Sequence, residues 1–117
     1  MTKSLDLFAL LAYCGLIYWL SAQPSLPLPE VFNFQDKALH FGAYFVMAVL
    51  SWRAFRHLET TGRNLAIVSF AFCSLYGLTD EWHQSYVAGR NASVGDWMAD
   101  SLGAGAAAAL LLRITLK

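Results

Sequence analysis

Along the chain, apolar positions gather into four blocks, residues 5–22, 36–55, 65–86 and 96–116, parted by short polar or proline-bearing stretches. Each comes close to the ~20 residues a helix needs to cross a bilayer. Helices apolar on all sides, with no solvated stripe, read as lipid-exposed rather than half-buried. The pattern therefore predicts an all-α polytopic membrane protein, a bundle of four transmembrane helices forming a single domain over residues 1–117. The breaks agree with it. Gln23-Pro24-Ser25-Leu26-Pro27-Leu28-Pro29 carries three prolines, which forbid continued helix, and Thr60-Thr61-Gly62-Arg63-Asn64 reads as a short turn.

Inside the blocks, polar and small residues recur at spacings of three and four, the spacing that places side chains on one helical face. Asp36, His40, Tyr44, Met47 and Ser51 share a face of the second block. In the third, Cys73, Tyr76, Gly77, Asp80, His83 and Gln84 repeat in the same way, with Glu81 about a hundred degrees round. The fourth carries Asp96, Asp100, Gly103 and Ala107 on one face, with Gly105 and Ala109 alongside. Small residues at a spacing of four let membrane helices approach closely. Because the carboxylates share that face, they are expected to point into the bundle.

Composition strengthens the membrane reading: 57% of the 117 residues are hydrophobic, 14% are charged and the mean hydropathy is +0.45, above the range of soluble domains. Two alternatives compete with it. A cleaved signal peptide ending at Ser21-Ala22-Gln23 lacks a small-x-small cleavage site and leaves a remainder too apolar for a secreted protein. A soluble bundle finds its best case in the third block, where charges crowd the end, and fails on the others. Net charge is zero, which points away from a nucleic-acid partner. With four spans, Lys3, Arg53, Arg56, Arg63, Arg113 and Lys117 fall on one side, and Lys37 and Arg90 on the other. The positive-inside tendency then puts both termini in the cytoplasm. Trp19, Trp82 and Trp97 are expected at the outer water–lipid boundary and Trp52 at the inner one, with Cys14 and Cys73 as mid-span fillers.

The candidate chemistry lies at the outer ends of the last three spans, where Asp36, Asp80, Glu81, Asp96 and Asp100 face two fixed cations, Lys37 and Arg90. Carboxylates held together cannot all stay charged cheaply, so protons, protonated histidines or a bound cation must balance them. For acid–base catalysis the candidates are Asp80, Glu81, His83 and His40. Binding roles fall to Asp36, Lys37, Tyr44, Tyr76, Gln84, Arg90, Asp96 and Asp100. Oxygen and imidazole donors without thiolate also suit magnesium, manganese, calcium or zinc, although the spacing is not the zincin motif; which metal or other cofactor, if any, is left undefined. Structural alternatives stand beside each role: an Arg90 ion pair with Asp80 or Asp96, Asp36 as a helix cap with Lys37 snorkelling, His57 as a loop residue on the opposite side, Tyr44 and Tyr76 as core aromatics. There is no serine elbow, phosphate-cradling glycine loop or dinucleotide motif.

Asp36-Lys37-Ala38-Leu39-His40 with Tyr44, then Tyr76-Gly77-Leu78-Thr79-Asp80-Glu81-Trp82-His83-Gln84, Gly89-Arg90, Asp96 and Gly103, in this order, resemble the VanZ-like family of small bacterial membrane proteins. The resemblance covers about residues 20 to 110. It implies a multi-pass protein of the bacterial cytoplasmic membrane, related in one branch of the family to glycopeptide, chiefly teicoplanin, resistance. By matched position, the family's residues here are Asp36, Lys37, His40, Tyr44, Gly77, Asp80, Glu81, Gln84, Gly89, Arg90, Asp96 and Gly103. Two places depart from the pattern: Asp100 stands where Asn is more usual, and Val87-Ala88 replaces an aromatic-rich approach to Gly-Arg. The leading expectation is an outward acidic pocket that binds, and in one version modifies, a lipid-linked or cell-wall component. The partners are then membrane lipid and an envelope precursor, with the oligomeric state undefined. A membrane scaffold with a purely structural cluster, and a proton-coupled transporter, are the competing expectations.

Overall fold

The computed structural model describes residues 2–23, 35–58, 61–87 and 93–115, and these form four helices: α1 (Lys3–Ser21), α2 (Gln35–Phe55), α3 (Gly62–Gln84) and α4 (Val94–Thr115). Two starts are capped by hydroxyls. Thr2 accepts a hydrogen bond from the Leu5 amide at 3.2 Å, and Thr61 accepts one from the Asn64 amide at 3.3 Å, the usual way of satisfying first-turn donors. The four helices match the four apolar blocks within three residues at each end.

Three of them, α1, α2 and α4, are long and apolar enough to cross a membrane. The third is as long, but Asp80, Glu81 and His83 fill its last two turns and keep it outside that group. Helices of 19 to 23 residues run about 28–35 Å at 1.5 Å per residue, and the long dimension of the molecule is 43 Å. Both suit a bilayer with a ~30 Å hydrocarbon core and headgroups on either side. Large apolar side chains cover the outside, with Phe8 69%, Leu75 63%, Leu102 64% and Ile114 58% exposed. This is the inside-out surface of a membrane protein.

The tightest seam joins α2 to α4. Gly103 lies directly on the Phe41 backbone, where no Cβ has room, and Met47, Ala48, Ala104 and Ala107 are fully enclosed behind it. The small-residue face read from the sequence is therefore the face that docks. Against α3, α4 is held by Trp97, whose indole N–H donates to the Ser74 carbonyl at 2.9 Å, and by a 2.9 Å contact between the Ser74 and Ser101 hydroxyls. α1 packs on α2 and touches α3 but makes no contact group with α4. Two phenols fasten it: Tyr13 donates to the Ala43 carbonyl at 2.6 Å and Tyr76 to the Cys14 carbonyl at 2.5 Å.

The path is antiparallel throughout. The starts of α2 and α4 and the end of α3 share one end of the bundle, while the start of α1 and the end of α4 lie at the other. Cys14 and Cys73 are free and buried, as expected for fillers. The tryptophans divide differently from the expectation. Trp19 and Trp82 are exposed, at 58% and 67%, as boundary residues should be, but Trp52 is 8% exposed and Trp97 turns inward to Ser74. Both lie on faces where neighbouring helices offer contact, and packing overrides the pull of the interface.

Candidate functional site

At the shared end of α2, α3 and α4, the three polar faces meet. The first turn of α2 supplies Asp36 and Lys37, and one turn on comes His40. The first two turns of α4 supply Asp96 and Asp100, and the last two of α3 supply Asp80 and Glu81. Asp100 is fully enclosed, and Asp80, Glu81 and Asp96 are buried as well. Carboxylates at such depth persist only with partners or a function.

His40 is the centre of the arrangement. Its Nδ1 lies 2.7 Å from Asp100 Oδ1, while Nε2 faces Asp36 and Asp96 oxygens, each 3.8 Å away. One imidazole thus has carboxylates on both edges, a geometry that fixes the ring and lets it carry a proton. Lys37 closes the outer side, its ammonium 2.5 Å from Asp96 and 3.6 Å from Asp36. Deeper in, the Tyr44 hydroxyl donates to Asp80 Oδ2 at 3.3 Å, and the Ser93 amide donates to Glu81 Oε2 at 2.9 Å. Gly77 makes room for this packing: a Cβ there would stand 3.1 Å from Asp100 Oδ2 and 3.3 Å from Trp97.

Asp80 also borders a second feature. A cavity of about 370 Å³ opens between the ends of α1 and α3, lined by Tyr18, Tyr76, Thr79, Asp80, Trp82, His83 and Tyr86. His83 lies flat against Tyr18, ring centroids 4.5 Å apart, and Trp82 meets Tyr86 edge to face. A volume of this size is typical of a small-ligand site.

Of the residues singled out from the sequence, Asp36, Lys37, His40, Tyr44, Asp80, Glu81, Asp96 and Asp100 come together. Three are placed elsewhere on α3. His83 belongs to the aromatic cavity, Tyr76 bonds α1, and Gln84 is buried against Ser21 of α1, 3.5 Å from its hydroxyl. Arg90 lies outside the described residues, as does Gly89. Asp36 stands within the first turn of α2 rather than before it, so it is not the cap that its position suggested.

Sequence reasoning missed a polar centre at the other end. Asp6, fully enclosed, accepts from Arg53 Nε at 3.4 Å and Arg56 at 3.1 Å, and lies 2.8 Å from His57 Nε2. His57 is in a turn, as expected, yet it has a definite partner. The available signal was an aspartate inside an apolar span, unexplained by any cap, together with the Arg53-x-x-Arg56-His57 run.

Of the residues taken in order from Asp36 to Gly103, the described carboxylates, Lys37 and His40 thus gather at one end of one bundle, spread over three helices. The chain belongs to the VanZ/LLP1 family, whose model matches residues 17–115. No curated protein and no solved structure matches it. Membership of the VanZ/LLP1 family and three span-capable helices together make this a membrane protein. The match takes in α2, α3 and α4 whole, and so the entire acidic cluster, but leaves out most of α1 and with it Asp6.

Proposed function

We propose that this VanZ/LLP1 protein is a multi-pass protein of the bacterial cytoplasmic membrane with both termini in the cytoplasm, whose outward acidic cluster binds a lipid-linked or cell-wall component. The observation that carries the reading is the position of Asp80. It is a wall of the aromatic cavity and also accepts the Tyr44 hydroxyl from the carboxylate cluster. A ligand in the cavity would meet rings on most sides and the Asp80 carboxylate at one wall. Such a site favours amine or hydroxyl groups on an amphiphile at headgroup depth, where aromatic side chains are at home. His40, fixed by Asp100, can exchange a proton with a ligand that reaches it.

The test is binding of a lipid-linked cell-wall precursor to the purified protein in lipid nanodiscs. Saturable binding is expected, weakened about 10- to 150-fold by Asp80→Asn, in keeping with one lost hydrogen bond to a charged group, and weakened also by Trp82→Ala at the exposed rim. Equal affinity in the parent and both variants refutes the site. The same variants in cells, scored for teicoplanin susceptibility, connect the site to the resistance seen in one branch of related proteins.

A structural reading has its own support, because Lys37–Asp96 and His40–Asp100 tie α2 to α4. If Asp80→Asn lowers the unfolding temperature in detergent and leaves binding and cellular phenotype intact, the cluster is a clamp. Transport has less behind it. Below the cluster, Ser51 is committed to the Met47 carbonyl at 2.8 Å and Ser74 to Ser101, which leaves little to continue a proton path.

A further inference from the structure

Around His40 the cluster divides into two groups of three: Asp36, His40 and Asp96 on the outer side, and His40, Glu81 and Asp100 on the inner side, with the donor atoms of each group within 4.8 Å of one another. The outer group already holds a cation, because the Lys37 ammonium contacts both of its carboxylates. The inner group differs. Glu81 is 8% and Asp100 0% exposed, and each keeps one enclosed oxygen, Glu81 Oε1 and Asp100 Oδ2, without a hydrogen-bond partner among the described residues. A buried carboxylate oxygen without a donor is costly. Two of them in one group of three, on helices that pack around a shared imidazole, mark a place that a cation would complete.

We propose that His40, Glu81 and Asp100 form a binding site for a divalent cation of the first transition row, such as Mn²⁺ or Zn²⁺. The donor set decides the class. Calcium asks for six to eight oxygens, whereas one imidazole with two carboxylates and no thiolate suits manganese or zinc. The supporting shell is present too: the Ser93 amide holds the other oxygen of Glu81, and the 2.7 Å contact between His40 and Asp100 sets two of the three donors side by side. The Ser93 amide is an outer contact of the kind that orients metal ligands. This inference uses the cluster of the proposed function but does not require the ligand assigned to it there.

The experiment is a titration of the chelator-stripped full-length protein, in detergent and without added lipid precursor, with Mn²⁺ alone, followed by electron paramagnetic resonance. One saturable ion per chain is expected, with nitrogen modulation from the His40 ring. Glu81→Gln and Asp100→Asn each weaken it by at least about 10-fold, while Asp36→Asn leaves it as in the parent. No saturable Mn²⁺ binding by the folded parent overturns the proposal, as does parent-like affinity in Glu81→Gln and Asp100→Asn. Loss confined to Asp36→Asn overturns it in favour of the outer group. If Asp100→Asn fails to fold, the near-isosteric Glu81→Gln and the nitrogen signal of the parent decide the matter. Precursor binding that survives chelation while Mn²⁺ never binds sinks only the cation site; Mn²⁺ binding without precursor binding sinks only the ligand reading.

Discussion

Replacing Gly103 by alanine perturbs the seam that brings Asp100 and His40 together, and its cost can be bracketed from the structure. A Cβ at Gly103 would collide with the Phe41 carbonyl oxygen and stand 2.9 Å from its carbon and 3.0 Å from the Phe41 Cα. These are backbone atoms of α2, so no rotamer can relieve the overlap; the helices must part. Overpacking of this kind costs about 1–3 kcal/mol, against a gain of up to about 1 kcal/mol from alanine's better helix propensity. Because the obstacle is backbone, the upper part of that range, about 2–3 kcal/mol, applies, and the net loss is about 1–2 kcal/mol, or roughly 4–8 °C in Tm at about 4 °C per kcal/mol.

Two other glycines serve as internal controls. Gly42, in the same helix as Phe41, has nothing within 4 Å of its Cβ position, so Gly42→Ala should be neutral or stabilising by up to about 1 kcal/mol. Gly77 is intermediate, since the atoms in its way belong to the Asp100 and Trp97 side chains, at 3.1–3.3 Å. Gly77→Ala should therefore disturb the cluster more than the bundle. The assay is thermal unfolding in detergent, followed by tryptophan fluorescence. A Tm for Gly103→Ala equal to that of the parent, or a Gly42→Ala loss as large as that of Gly103→Ala, refutes the assigned packing of α2 on α4.

Two further expectations are simpler. Asp6→Asn should lower the Tm more than Arg53→Gln does, because Asp6 serves Arg53, Arg56 and His57 together while Arg53 gives up one contact; the same melts check it, and an equal or smaller effect of Asp6→Asn counts against the shared centre. For orientation, cysteines placed at Tyr86 and Leu58, which are 75% and 74% exposed at opposite ends, are offered to a membrane-impermeant maleimide in intact cells, where the buried Cys14 and Cys73 add little background. Labelling at position 86 and not at 58 is expected, and the reverse pattern inverts the topology.

The faces that proved legible are those on α2 and α4 whose spaced residues turn into the bundle together. His40, Tyr44, Met47 and Ser51 point inward together, with Asp36 at the exposed outer start of the same face, and Asp96, Asp100, Gly103 and Ala107 do the same, because a three-and-four spacing tracks one face of a helix whatever surrounds it. The third helix shows where that logic stops. Asp80, Tyr76, His83 and Gln84 share the same spacing, but their contacts divide between two neighbours, α2 and α1. Asp80 turns to α2, while Tyr76 bonds Cys14 and Gln84 meets Ser21 on α1. Spacing fixes a direction relative to a helix's own axis and carries no information about which partner lies there. The Asp6 centre was hidden for a related reason: its donors are 47 to 51 positions away, a separation that no local pattern encodes.

The two ends of the bundle also bear on whether the acidic cluster is only a clamp. At the Asp6 end, one carboxylate receives three basic groups, so its acceptors are all engaged and the local excess is cationic. That is what a helix-fastening ion pair looks like in this protein. At the other end the balance is reversed: five carboxylates face Lys37 and His40 among the described residues, and Glu81 and Asp100 retain enclosed oxygens with no donor. A clamp gains from satisfying its acceptors, and burying surplus ones costs free energy without adding strength. Mutual ion pairing of α2 with α4 needs Lys37 and Asp96 and little more. A cation or ligand of the kind proposed would supply the donors that this surplus on α3 and α4 lacks among the described residues, and the acidic end is the one from which function should be sought.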